Sequence, residues 1–473
     1  MNTLVLRGGS LAIALAATAA ALLVPVPVAV AATTDTVQAA ADAFGLRNYS
    51  VVEAASADAI VTAARKSPAS TIIHIPSGKF TVSDTIRPAN GVYLAAESGT
   101  TVTWRGGTSN LVRFADVSNT GIYGGTWDAA AKGTNAVGTT HASGVKLRNL
   151  TITKGATNGL GVYDSSSVDV VSVTTTANKQ TGVYVGTSST LTASKLVSTM
   201  NQRNGVQVTG DSSTRATISD STLDKNGQAV KGSTTGKTGH GLGVADAASV
   251  VVSNSSISSN KVCGVSLTSR ARVTISGSSL DNNGRHGLGT QADSKGGPTA
   301  DITNSTAKSN GYNGILSSGK GTNVTLRNVT ISSSKQMGLS LPSGGSASVS
   351  GTDITKSGKQ GISVAGSGTL TLGGDNAISS GKAHGIAVSK KGTLVVSGQN
   401  NVVADNKKNG LLMTGSGTSG SIAEAVSFEN NKDYNGRVLS KAKLRTVPCI
   451  FVGKGKNKTN FTTAKSGSVT VVG

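Results

Sequence analysis

The chain has 473 residues, of which 61 are Gly and only 3% aromatic, and its formal net charge is +21. So few aromatic residues exclude a bulky globular core, and the Gly, Ser and Thr content fits tight turns and small inward layers. An excess of positive charge this large points to acidic partners.

Residues 1–32 read as a targeting segment. Arg7 supplies the positive start, Leu11 to Val24 the apolar stretch, Pro25 and Pro27 the break, and Ala29-Val30-Ala31 a small-residue cleavage site. Nothing else reaches transmembrane length. The mature chain is therefore expected to be secreted, with no membrane span after cleavage and no nucleic acid as its physiological target. Residues 33–67 read as an N-terminal cap region. Within it, Ala57 to Lys66 is a helix with Ser56 as its cap and a stop before Pro68. A short amphipathic helix suits the open end of a stacked fold, where apolar core and strand edges need covering.

From residue 68 a repeat sets in. A glycine followed by apolar residues at alternate positions returns as Gly159, Gly182, Gly205, Gly241, Gly264, Gly287, Gly314, Gly338, Gly361, Gly385 and Gly410. The successive spacings are 23, 23, 36, 23, 23, 27, 24, 23, 24 and 25 residues, the period of a solenoid. Between Gly182 and Gly205, Val183 alternates with Val185 and Leu191 with Ala193, and Leu196 follows. Short period-2 runs separated by Gly, Ser, Asn and Thr are strands joined by tight turns. Each strand is too small to bury a face alone, so the copies must stack into three parallel sheets. The fold class is all-β, a parallel β-helix spanning 68–440, with 441–473 as a C-terminal cap and Gly436 as the last turn. Four residues before each glycine stand Asn178, Asn201, Asn260, Asn283, Asn310 and Asn406, with Ser334 and Ser357 in the same slot. Asn tolerates corner backbone angles and can bond its stacked copies, so these are structural posts. Two turns are long, through Ala229 to His240 and through Ser294 to Pro298, and such inserts project as loops.

The early segment Thr71-Ile-Ile-His-Ile-Pro-Ser-Gly-Lys-Phe, with Gly91-Val-Tyr-Leu and Tyr123-Gly-Gly-Thr-Trp-Asp128 after it, resembles the start of the pectate-lyase-like β-helix superfamily. The glycine-strand turns are similar to that superfamily's repeat, and the resemblance covers roughly residues 55–436. It implies a right-handed helix. Its members include lyases, hydrolases, epimerases and non-catalytic binders, so it implies no single activity.

Site residues are harder to find. The outward row of the glycine strand, Gly161, Tyr184, Gln207, Gly243, Ser266, Gly289, Leu316, Ser340, Ser363, Ala387 and Leu412, is small and nearly neutral. Enzymes of the resembling superfamily usually set carboxylates, Arg or Lys there. Gly239-His240-Gly241 looks like one fragment of the polygalacturonase signature, but its paired aspartates and Arg-Ile-Lys element are absent, and there is no Asp-Pro-His motif of the alginate epimerase kind. No metal site is expected, although His240, Cys263 and His286 share one slot on consecutive turns, and the need for a cofactor stays open. Cys263 and Cys449 lie too far apart along the axis, roughly 29 Å at about 4.8 Å per turn, for a disulfide unless the tail folds back. A catalytic group, if there is one, is expected from Tyr184, Lys179, Arg203 and His240 around the 229–240 loop, in lyase or epimerase chemistry. The sugar-stacking candidates are Trp104, Trp127, Tyr123 and Tyr163.

The charge excess is ordered. In the corner before the glycines lie Lys179, Arg203, Lys261, Arg285, Lys335, Lys359, Lys382 and Lys407, eight of the ten corners from Gly182 to Gly410. Stacked, they form a basic column suited to an extended polyanion. The expectation is a secreted protein that binds, and possibly processes, an acidic polysaccharide. The alternative is a non-catalytic surface or adhesion protein whose solenoid is a spacer with a solvated lysine edge.

Overall fold

The computed structural model describes residues 29–227, 238–453 and 461–472. The chain winds as a parallel β-helix whose walls are an 18-stranded sheet, a 15-stranded sheet and a third wall in two seven-stranded pieces. Most turns contribute one short strand to each wall. In the turn after Gly182 these are Thr181–Gly186 on the 15-stranded wall, Thr190–Ser194 on the 18-stranded wall and Val197–Thr199 on the third. Register is fixed by the apolar alternation: Val183 pairs with Val206 and Leu191 with Ala216, so inward residues stack on inward residues. Val183, Val185, Leu191, Ala193 and Leu196 are all buried in one continuous core. Between the pieces of the third wall, pairing narrows to single bridges through Ser256 and Ser279.

Two helices serve different ends. Helix α2 (Ala57–Lys66) begins at Ser56, whose hydroxyl accepts the Ala59 N–H at 3.2 Å, and it drives Ile60 and Ala64 into the core mouth. Helix α1 (Ala29–Phe44) lies instead on the outside of the 18-stranded wall. Val37, Ala40, Ala41 and Phe44 pack on Ile72, Tyr93 and Ala95, Phe44 stacks on Tyr93 at 4.6 Å, and Lys146 Nζ donates to the Phe44 carbonyl at 2.7 Å. A cation at that helix end also meets the negative pole of its dipole. The helix explains why Thr71–Ile75 and Val92–Ala96 are buried throughout while later strands of this wall alternate: both strands are covered on both faces.

The structure departs from the sequence reading at both ends. Ser50–Glu53 already pairs with Thr71–Ile75 inside the expected cap region. At the other end Lys443–Thr446, Ile450–Val452, Thr462–Ala464 and Ser468–Val471 continue the three walls, so the described part of 441–473 is more solenoid and not a separate cap. Gly436 pairs with Leu411, which puts Asn435, not Gly436, in the glycine slot.

The glycine and asparagine repeats are one device. Asn178, Asn201, Asn226, Asn260, Asn283 and Asn310 form a buried ladder in which each Nδ2 donates to the next Oδ1, at 2.8, 3.0, 3.1, 3.2 and 3.3 Å. From Asn201 onward each Nδ2 also reaches a backbone carbonyl of the preceding turn, as Asn260 does with Leu223 at 2.9 Å. A Cβ on Gly264 would stand 2.8 Å from Asn283 Nδ2 and 2.7 Å from the Gly287 carbonyl. The repeating glycine is thus there for space. Asn226 escapes the sequence spacing because the long insert follows it.

Candidate functional site

The 15-stranded wall carries the outward row in the order read from sequence, with Tyr184, Gln207, Gly243, Ser266, Gly289 and Leu316 in register. The row is not evenly filled. The Tyr163 ring lies over Gly161, and the Gln207 amide folds over Gly243. At Gly289 the row opens into a groove of about 520 Å³, floored by Ser266 and Gly289. One rim holds His240, Cys263, Arg285 and His286, and the other holds Gln291 and Asp293. The second insert builds that second rim: Asp293 accepts the Ser269 hydroxyl at 2.5 Å and the Lys295 N–H at 2.8 Å, and Lys295 Nζ binds Asp246 at 2.9 Å. Hydrogen bonds from Ser269 and Thr209 hold the Asp293 and Asp246 carboxyls below the usual range, with Lys295 leading at Asp246.

Groups on the first rim are neutral where they are buried. His240 Nδ1 accepts the Cys263 N–H at 3.3 Å and His286 Nδ1 accepts the Asn313 N–H at 3.4 Å. Each ring does the work that Asn204 Oδ1 does one turn earlier, where it accepts the His240 N–H at 3.0 Å. Burial, with the Arg285 charge, pushes the His286 imidazole down to about 4, and burial pushes the Cys263 thiol up to about 11. A neutral Nε2–H and an unionised thiol therefore face the groove, and Cys263 is no nucleophile there. Both cysteines are free. Among the described residues no cluster of three or more His, Cys, Asp or Glu could hold a metal ion.

The structure does not assemble the expected catalytic quartet. Tyr184 lies on the outer face with its ring 5.3 Å from Tyr163. His240 sits two turns further along, about 9.6 Å at the usual strand spacing, with Asn204 and Gln207 bonded to each other between them at 2.8 Å. Lys179 turns the opposite way, toward the Ala131 carbonyl at 3.1 Å. Most of the 229–240 loop falls outside the described residues. The sugar-stacking candidates are also accounted for by packing: Trp127 and Trp104 are buried and donate to the Gly124 and Gly107 carbonyls, and Tyr123 packs against the α1 cluster. The exposed aromatic residue at this corner is Tyr312, 48% accessible. Neither its strand phase nor its neighbours mark it in sequence.

The basic residues line the corner before the 15-stranded wall, but in two slots. Lys179, Lys261, Lys335, Lys382 and Lys407 follow the ladder post directly, and their N–H groups bond the preceding turn's post or its equivalent. Arg203, Arg285, Lys359 and Lys408 occupy the next slot, chained through Gln180, Val262, Gln336 and Ala383. The single column becomes a zigzag. Like charges in one slot are then mostly at least two turns apart, beyond the roughly 8 Å over which physiological salt screens them. Among the described residues none of Lys335, Lys359, Lys382, Lys407 or Arg285 makes an ion pair, and all are exposed.

The family described as right handed beta helix region matches this chain at residues 77–229, 135–328 and 272–433. No curated protein matches it. Among solved structures, the chain is similar to the pectate lyase Pel9A at 14% identity, over 53% of this chain and 73% of that one, with a TM-score of 0.39. It is similar to the A-module of the Azotobacter vinelandii mannuronan C-5 epimerase AlgE4 at 14% identity, over 83% and 98%, with a TM-score of 0.42. A GH87 α-1,3-glucanase catalytic domain matches at 14% identity over 66% and 65%, with a TM-score of 0.39.

Proposed function

The chain belongs to the right-handed β-helix family, and we propose that it binds an extended acidic polysaccharide along the basic edge of its solenoid. The observation that carries this reading is the zigzag itself. Lys335, Lys359, Lys382 and Lys407 stand exposed on four successive turns, divided between the two slots, and their shared field attracts a polyanion laid along the edge. The acidity of the ligand comes from that edge, and its polysaccharide nature from the resemblance to the pectate-lyase-like superfamily. Processing by a lyase or an epimerase would need a base beside a cation; Arg285 supplies the cation at the groove, while His286, its Nδ1 taken by the Asn313 N–H, presents a donor there and not a base. We also place the protein outside the cell on the strength of its N-terminal segment, of which residues 1–28 lie outside the described ones. Cleavage after Ala31 would trim the start of α1 and leave Val37 to Phe44 docked. Among the described residues no helix is long and apolar enough to cross a membrane.

The test compares wild type with a Lys335, Lys359, Lys382 and Lys407→Gln variant on polygalacturonate, alginate, a teichoic-acid-type polymer and a neutral glucan across a salt series. Binding that falls at least tenfold in the variant, falls with salt and is absent for the glucan supports the proposal. Binding indifferent to salt and to the four changes would leave the edge as a solvated ridge and the solenoid as a spacer. The same incubations, assayed for unsaturated chain ends, read out lyase action.

A further inference from the structure

We infer that the depression over Ser266 and Gly289 is a subsite for one sugar ring bearing a single carboxylate, with Arg285 receiving the carboxylate and Tyr312 setting Arg285 in place. The inference rests on the polysaccharide reading above and adds to it a defined position and a choice among acidic polymers.

The opening is specific to this turn. Tyr163 and Gln207 cover Gly161 and Gly243, but the atoms nearest a Cβ added at Gly289 would be His286 Cδ2 at 3.4 Å, Cys263 Sγ at 3.5 Å and His286 Cβ at 3.9 Å. The missing side chain leaves one edge of the imidazole and the thiol facing the groove. His286 Nδ1 is occupied by the Asn313 N–H, so the ring's remaining proton sits on Nε2 as a hydroxyl-directed donor. Beside it the Arg285 guanidinium lies over the Tyr312 ring at 5.9 Å, and Tyr312 meets His286 edge-on at 5.7 Å. That cation–π contact fixes the one full positive charge on this rim without neutralising it.

The opposite rim decides the ligand class. Asp293 is ionised, and Gln291 stands next to it in the groove lining. Acceptors of this kind suit sugar hydroxyls and repel a ligand with charge on all sides. One cation on one side and acceptors on the other match a ring with one carboxylate among hydroxyls. They do not match a polyphosphate or a heavily sulfated chain.

The experiment is calorimetry with a short oligogalacturonate and, as a probe of charge alone, an inorganic polyphosphate of equal charge. Wild type should prefer the oligouronate and retain part of that binding at high salt. Gly289→Leu should lose at least tenfold for the oligouronate and nothing for the polyphosphate. Gly289 has an ordinary backbone angle, and Gly289→Ala, whose methyl meets only ordinary contacts, serves as the milder plug should the larger one unfold. Tyr312→Leu should weaken oligouronate binding several-fold and Tyr312→Phe should restore it, which a merely structural ring would not do with the thermal midpoint unchanged. The four-lysine variant should keep the oligouronate subsite. Equal affinity for the two probes, or oligouronate binding untouched by both Gly289 plugs, overturns the subsite while leaving the edge reading standing. Loss of oligouronate binding at Gly289 upholds the subsite, and polyphosphate binding indifferent to the four lysine changes overturns the edge.

Discussion

The turns from Asn178 to Asn310 and those from Ser334 to Asn406 share a period, a register and an apolar interior, yet they differ at the corner. In the first set the amide ladder is unbroken, and every post finds partners. In the second, Ser334 and Ser357 replace two posts, and their buried hydroxyls have no partner. The ladder resumes only at Asn406, whose Nδ2 donates to Asn431 at 3.0 Å. The strands nevertheless pair without a slip, Leu339 on Ile362 and Ile362 on Ile386. Inward apolar stacking and backbone pairing therefore hold the turns, and the ladder is an additional tie. The groove lies within the tied set, where rims must hold their shape, while most of the lysine edge lies on the looser one.

That comparison can be broken first at the core. Val265 is fully buried in the tied set, and Val265→Asp should cost more than about 4 kcal/mol, an unpaired charge in a dry layer. Ser266→Asp, on the outer face of the same strand, should stay within about 0.5 kcal/mol. Urea unfolding of both variants checks the pair, and equal losses would invert the strand phase.

Acid should loosen the tied set next. His286 has its folded value depressed to about 4, below an unfolded value of about 6.5. The unfolded chain therefore takes up the proton first. The contribution is full above about pH 6.5 and is lost as pH falls toward 4, a change of roughly 3 kcal/mol. His286→Asn keeps an acceptor for the Asn313 N–H, as Asn204 does for its neighbour, and should flatten the wild-type stability profile across that window. Identical profiles for the two proteins would deny His286 the role.

Two smaller changes address the posts themselves. Asn260→Ala removes the acceptor of the Asn226 N–H and Nδ2 and the donor to Leu223. It should cost about 2 kcal/mol, because buried groups are left unpaired. Ser334→Asn should do the reverse, since Asn310 Nδ2 would regain an acceptor, with a gain of about 1 kcal/mol. Thermal melts check both. A ladder that ties nothing would leave both midpoints where they are.

Much of this fold was legible because a solenoid writes its period into the chain. Val183, Val185 and Leu191 give the strand phase, and Ser56 with Pro68 brackets α2. The position of α1 was not legible, because Val37, Ala40 and Phe44 bury against the outside of a sheet, and nothing in their spacing names that partner. The site was harder for a physical reason. A groove floor is made of what is missing, so Gly289 and Ser266 read as an inert face in sequence. The rim group Asp293, and Tyr312 behind Arg285, come from turns whose paths depend on the insert and on the corner geometry. The basic residues were visible, and so were their two offsets, three residues before the glycine for Lys261 and two for Arg285; the backbone bonds place both slots on one corner.

The spacing of strand partners bears on how the molecule is made. Val183 meets Val206 and Val265 meets Leu288, each 23 residues on, and α2 closes the mouth of the first turns. Contacts of such short range favour quick local assembly, and each turn leans only on its neighbours. When the chain folds from its N-terminal side, the closed first end is in place before any later turn. Each further stretch of twenty-odd residues then finds a finished edge to settle on, and the unpaired edge that could recruit another chain is always the newest one.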